Sequence, residues 1–228
     1  MINLRFKFRR TALSFSTLIA LASGCGYSQR EMPQIETNKY VYKVEEGVRI
    51  YAEPFDTEKE CRKVFQHDLN KKAYLPIFLR IENTTTQDIK LDRDNVEFFS
   101  SNNTPWMQVH GSRVARSYES AGSAKSTLLG FLFGALSGML SALQEQQNNY
   151  ERIADFETKG LNSLELIITE GREEGFVYFK DKKERSMSKD EFASEIVNGK
   201  LLLKILIEQN KTRAYTFDFK APSNWEER

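Results

Sequence analysis

The sequence predicts a mainly β protein: an antiparallel two-sheet sandwich carrying one helical insertion and one or two short helices. Three observations carry that prediction. Short stretches of alternating apolar and polar residues recur from about residue 40 to residue 219. Turn-forming residues separate them at short intervals. One uncharged run with regularly spaced glycines, Ser126 to Gln144, breaks the series and has the length of a helix.

In chain order, Tyr40, Tyr42 and Val44 alternate with Val41, Lys43 and Glu45, and Val48, Ile50 and Ala52 alternate with Arg49 and Tyr51. Both stretches read as short strands. Asp56 or Thr57 stands at an N-cap position, with Glu60 close to the capping-box place for Thr57, so a short helix runs to about Phe65 with Cys61 and Val64 or Phe65 on one buried face. The nearly continuous apolar run Ala73 to Glu82 contains Pro76, and proline belongs at strand starts, edges or bulges, so the strand proper is expected from Ile77. Asn83 to Gln87 makes a turn; Ile89 and Leu91, then Val96, Phe98 and Phe99, supply the next strands. A strand, an Asn-Thr turn and a second strand predict an antiparallel hairpin of an immunoglobulin-like sandwich.

After the insertion the same pattern resumes. Leu164, Leu166 and Ile168 alternate with polar neighbours, Glu170-Gly171 turns, and Gly175 leads into the strand Phe176-Val177-Tyr178-Phe179. Ser188 and Glu191 match a capping box, opening a helix with Phe192, Ile196 and Val197 on one face. Leu201 to Ile207 and Tyr215 to Phe219 close the domain as two strands joined by a polar turn. The domain is expected over 39–222, interrupted by an insertion at 113–159 whose helical part spans about 124–158.

The full chain has 228 residues, 33 Lys plus Arg against 32 Asp plus Glu, two cysteines and 40% hydrophobic residues. Near-average apolar content excludes a disordered chain and a polytopic membrane protein. Near-neutral charge disfavours wholesale nucleic-acid binding. Two cysteines cannot build a disulfide scaffold or a four-cysteine zinc site. His67 and His110 lack the spacing of a metal motif, and no GxSxG, Walker or dinucleotide pattern occurs, so no catalytic residue, cofactor or metal is assigned. His110, followed by Gly111, reads as a turn residue. The mixed run Lys180 to Arg185 reads as solvated surface, with an anionic headgroup or polysaccharide as the sharper alternative. Trp106 and Trp225 read as core or tail packing.

Residues 1–10 carry Arg5, Lys7, Arg9 and Arg10 and no acid; an apolar run extends from Ala12 to Ala22 and closes on small residues before Cys25. That is the layout of a cleavable secretory signal, too short to span comfortably. The junction Leu21-Ala22-Ser23-Gly24-Cys25 resembles the lipobox of bacterial lipoproteins, with Ala22 where leucine is preferred. The resemblance implies diacylation of Cys25, removal of residues 1–24, a lipidated tether over 25–38, and attachment to a membrane through the lipid. Gly26, where an inner-membrane lipoprotein carries aspartate, implies the outer membrane, facing the periplasm. Removing the four leader bases leaves 29 against 32 acids, a net charge of −3, and leaves Cys61 as a solitary thiol, read as buried and inert.

The order of elements also resembles a group of bacterial envelope lipoproteins in which an Asn-containing strand (here Phe78 to Asn83) precedes a glycine-rich helical insertion and a Gly-Phe-Val-Tyr-Phe strand (Gly175 to Phe179) comes after it. No chemistry is assigned to that group, so the resemblance implies an envelope module and no reaction.

In the insertion, Gly130, Gly134 and Gly138 recur every four residues, and there is no charge between Lys125 and Glu145. Nineteen residues make a helix of about 28 Å at 1.5 Å per residue, the lower limit of bilayer thickness. Glycines so spaced let a helix or membrane partner approach closely; in water each costs about 1 kcal/mol relative to alanine. Three readings fit: packing on the sandwich or in a hairpin against a helix at Asn149 to Lys159, insertion into or adsorption on a membrane, and self-association or contact with an envelope protein through the glycine face. For the whole protein, a non-enzymatic structural or interaction lipoprotein stands first; an envelope ligand-binding module or enzyme with a site in the sandwich loops stands second.

Overall fold

The computed structural model describes residues 27–33, 41–119, 135–161, 165–182, 187–207 and 211–219. The described chain is mainly β. Its elements are β1 (Val41–Glu45), β2 (Val48–Pro54), α1 (Glu58–Phe65), β3 (Tyr74–Asn83), β4 (Ile89–Phe99), β5 (Met107–Val109), α2 (Gly111–Arg116), α3 (Ala135–Lys159), β6 (Glu165–Ile168), β7 (Gly171–Lys180), α4 (Lys189–Ile196), β8 (Lys200–Ile207) and β9 (Lys211–Asp218). One sheet has the order β1-β2-β3-β7-β5 and the other β6-β4-β8-β9, every pairing antiparallel.

Between the sheets lies an aliphatic core. Ile50, Leu75, Ile77, Leu79 and Ile81 come from the first sheet, and Leu201, Leu203, Ile205, Phe98 and Phe217 from the second, all essentially inaccessible to water. This is the alternation read from the sequence, with one face of each strand turned inward. The outer face of the first sheet carries a second, aromatic cluster: Phe78, Phe176 and Tyr178 from β3 and β7 pack against Phe65 of α1, Val114 of α2 and Phe156 of α3. Three layers therefore stack on one another, and β3 and β7 are buried on both faces over part of their length. A strand covered on both sides has no reason to alternate, which is why Tyr74 to Leu79 and Phe176 to Phe179 read as unbroken apolar runs.

Three local expectations are corrected. First, β3 begins at Tyr74 and includes Pro76. The Pro76 carbonyl accepts from Phe55 N at 2.9 Å, so the edge of residue 76 facing β2 lies just past the last β2 pair, Pro54 with Ile77, where no ladder donor is required. Second, β3 and β4 form no hairpin. Both edges of β3 are occupied, by β2 and β7, so the chain crosses to the other sheet at Asn83 to Gln87. Asn83, 1% exposed, holds the crossing: its Nδ2 donates to Gln87 O (2.7 Å) and Ile168 O (2.9 Å), and its Oδ1 accepts from Thr85 N (3.0 Å) and Thr85 Oγ1 (2.7 Å). The return crossing from β6 to β7 lies beside it, since Asn83 pairs with Gly171 in the sheet. Third, residues 135–159 form one helix of 25 residues, so Ala135 to Gln144 does not fold back on Asn149 to Lys159. The junction Gln144-Glu145-Gln146-Gln147-Asn148-Asn149 has neither glycine nor proline to end a helix.

The helix α3 is shared between two compact units. Up to Asn148 it groups with the N-terminal residues through Ser28, and from Asn149 it belongs with the sandwich. Its second half sits directly on the first sheet. The end of α3 continues into a parallel bridge of Gly160 with Phe176, and Leu161 N donates to Phe176 O at 2.9 Å. Two glycines permit the approach: a Cβ on Gly111 would stand 2.6 Å from Phe156 O, and one on Gly175 would stand 2.9 Å from Lys159 O.

Candidate functional site

Of the residues singled out from the sequence, Cys25, Gly130 and Gly134 lie outside the described residues, as does Trp225. Gly138 falls within α3, in a stretch whose side-chain surroundings are likewise not described. Among the described residues of the first unit, Tyr27 N donates to Asn148 Oδ1 of α3 at 3.2 Å. The next residues belong to the sandwich unit, where Met32 packs against the aromatic cluster. The segment expected as a tether therefore makes contacts from Tyr27 onward.

A cavity of about 870 Å³ opens between the N-termini of α1 and α4. Sequence capping rules set its walls. Thr57 Oγ1 accepts from Glu60 N at 3.3 Å and Ser188 Oγ from Glu191 N at 3.2 Å, and each helix carries acids in its first turn. The helix dipoles are thus met by the chain's own groups. Met187, Phe192 and Ala193 give the cleft an apolar side, while Asp56, Glu58, Asp68 and Asp190 face Lys59, Arg62, Lys71 and Lys189 around it. Lys189 Nζ lies 2.6 Å from Glu58 Oε2 and links the two first turns. The Lys189 hydrogen bond, and then that from Arg62, holds the exposed Glu58 carboxyl below its usual range. Such a cleft suits a small, partly apolar molecule bearing charges of both signs. Among the described residues no group of three or more His, Cys, Asp or Glu could hold a metal ion.

Beneath α3 the aromatic cluster contains polar groups. Lys159 and Asp155, 2% and 1% exposed, meet at 2.7 Å, and Lys159 Nζ also donates to Val64 O of α1 at 2.9 Å. Burial pulls Lys159 below the usual lysine range, against the opposing hydrogen bond and charge of Asp155. Cys61 is the buried thiol expected from its helical spacing. Burial pushes its pKa far upward, and Sγ donates to Phe55 O at 3.4 Å. His67 stacks on Tyr118 with ring centres 4.6 Å apart, and Tyr118 OH donates to Asp68 O at 2.8 Å. Burial, then the charges of Arg152, Lys72 and Arg62, push the His67 pKa down to about 4.

His110, expected as a turn residue, is the N-cap of α2 and accepts from Ser112 N at 3.3 Å. Trp106, 5% exposed, is in the inter-sheet core as expected. The run from Lys180 is only partly solvated: Asp181 is buried, and Lys180 Nζ lies over the Tyr74 ring, 5.2 Å from its centre. Capping patterns in the sequence mark both walls of the cleft but not their meeting, because Glu58 and Lys189 are 131 positions apart and no spacing rule joins them.

Fold and cleft define a two-sheet antiparallel sandwich with a helical outer layer. No protein-family model, curated protein or solved structure matches the chain. No described helix is long and apolar enough to cross a membrane.

Proposed function

We propose that this chain is a non-enzymatic lipoprotein of the bacterial cell envelope, held on a membrane by lipid on Cys25, with its sandwich serving as a structural or interaction module. The observation that carries the proposal is the order of features in residues 1–25: four bases, an uncharged apolar run, small residues, then cysteine. The physical consequence is simple. Each buried methylene contributes about 0.8 kcal/mol, so two or three acyl chains hold a protein on a bilayer without a spanning helix. Gly26 in place of aspartate favours the outer membrane. Fractionation tests the proposal: the parent should sediment with membranes and Cys25→Ala should be released, whereas equally tight retention of both would remove the lipid as the anchor.

The cleft between α1 and α4 favours a second reading, an envelope ligand-binding module. Ala193→Trp would fill the cleft from its apolar side. If the set of molecules that co-purify with the protein is unchanged in that variant, the second reading fails.

A further inference from the structure

We propose that the flank of the sandwich between β4 and β7 is a binding pocket for a free amino acid with a large apolar side chain. The pocket is distinct from the cleft between α1 and α4 and requires no lipid on Cys25.

Two departures from regular strand structure open this flank. In β4 the pairing with β8 passes from Leu91 with Ile205 to Val96 with Leu203, so four residues, Asp92 to Asn95, stand against Lys204 alone. A bulge of this kind re-aims side chains. Asn95 Nδ2 donates to Asp92 Oδ2 at 3.1 Å across it, and Arg93 is sent over to the other sheet, where its Nε lies 3.4 Å from Gln108 Oε1 of β5. In β7 the row that faces the core runs Val177, Gly175, Glu173, opposite Ile77, Leu79 and Ile81 of β3. A row on the inner face of a sandwich calls for apolar side chains. Gly175 instead leaves room for Leu161, whose Cγ would stand 3.0 Å from a Cβ there, and Glu173 brings a carboxylate to the edge of the inner face.

Between the two strands lies a cavity of about 180 Å³. Leu91, Val96, Leu161, Leu166 and Val177 supply its apolar lining, and Arg93, Gln108 and Glu173 its polar lining. An apolar cavity of about 150 Å³ accepts benzene, so the space matches one branched aliphatic or aromatic side chain. The charges define the rest of the ligand. Neighbouring Glu174 is already neutralised by Arg80 at 2.7 Å. Arg93 and Glu173, by contrast, have no ion-pair partner among the described residues, and they do not pair with each other. A guanidinium receives a carboxylate in its planar fork, and a carboxylate receives an ammonium. An α-amino acid carries both groups on one carbon, with its side chain directed away from them into the apolar space.

The test is isothermal titration of the full chain with L-leucine and with two analogues that each lack one charge, isoamylamine and isocaproate. One leucine per chain is expected, and each analogue should bind about 10-fold or more weakly. Glu173→Gln and Arg93→Gln should each weaken leucine by a similar factor while the melting temperature stays unchanged. Absence of leucine binding up to about 10 mM, an analogue that binds as tightly as leucine, or full affinity in both variants overturns the proposal. The analogues act on the parent protein, so a variant that fails to fold leaves the decision intact. Loss of leucine binding in Ala193→Trp together with full affinity in Glu173→Gln would place the ligand in the cleft between α1 and α4, which overturns this pocket and supports the second reading of that cleft.

Discussion

The second half of α3 and Leu143, which precedes it on the same helix, stand in different surroundings. From Asn149 to Lys159 the helix is bound into the domain: Phe156 is fully buried among Phe65 and Tyr178, Asp155 and Lys159 form a pair closed off from water, and Arg152 Nη1 donates to Tyr118 O at 2.8 Å. From Ala135 to Leu143 the sequence is more apolar still, yet the one side chain described there, Leu143, faces water. Apolarity alone therefore does not tell where a helix packs. The second half is held by complementarity: it meets glycines at residues 111 and 175 that admit its backbone, and aromatic rings that fit between its side chains.

The largest effects should come from the second half. Phe156→Ala removes a fully buried ring and should cost about 3–5 kcal/mol, read as a shift in the urea midpoint. Asp155→Ala leaves a buried ammonium without its partner, a loss of about 3–5 kcal/mol. Replacing both members, Asp155→Leu with Lys159→Met, should recover most of that loss, because an apolar pair of similar volume carries no desolvation penalty. If the double variant is no better than the single one, the bond from Lys159 to Val64 O, rather than the charge balance, is what fastens α3 to α1. Gly111→Ala pushes against the Phe156 carbonyl and should cost about 1–3 kcal/mol. Leu143→Ser, at an exposed position of the same helix, should stay within about 0.5 kcal/mol of the parent. A large loss there would mean that Leu143 is packed against protein and would erase the contrast.

A pH titration probes the same region through His67, which stacks on Tyr118 and feels the charge of Arg152 on α3. Its pKa is about 4 in the folded protein and 6.5 when the ring is free, so the unfolded chain binds the proton first. Stability is flat above pH 6.5 on this account and falls as pH drops from 6.5 towards about 4. His67→Gln should flatten that part of the profile. Thermal melts of the two proteins across this window check it, and identical slopes would assign the acid sensitivity to other groups.

Much of the sandwich is legible in the chain because its strands obey local rules. Val48, Ile50 and Ala52 alternate, β8 and β9 turn one face inward, and Thr57 and Ser188 announce their helices by their caps. The helical outer layer is not legible in this way. Tyr74 to Leu79 signals burial on both faces, but nothing local says that Phe65, Val114 and Phe156 supply the second cover. Pro76 misleads because a proline rule ignores where the neighbouring strand ends. Asn83 reads as an ordinary turn residue, and only its four hydrogen bonds reveal a fixed crossing between sheets. For function the balance is reversed. The anchor reading rests on a linear signal at residues 1–25, whereas the cleft between α1 and α4 is assembled from segments that sequence spacing does not connect.

The most direct test of the central claim is the mass of the N-terminal peptide from protein purified out of bacterial membranes. A lipid-anchored protein yields a chain that begins at Cys25 and carries diacylglycerol on that residue. An unmodified Cys25, or a mature chain that still contains residues 1–24, would contradict the claim.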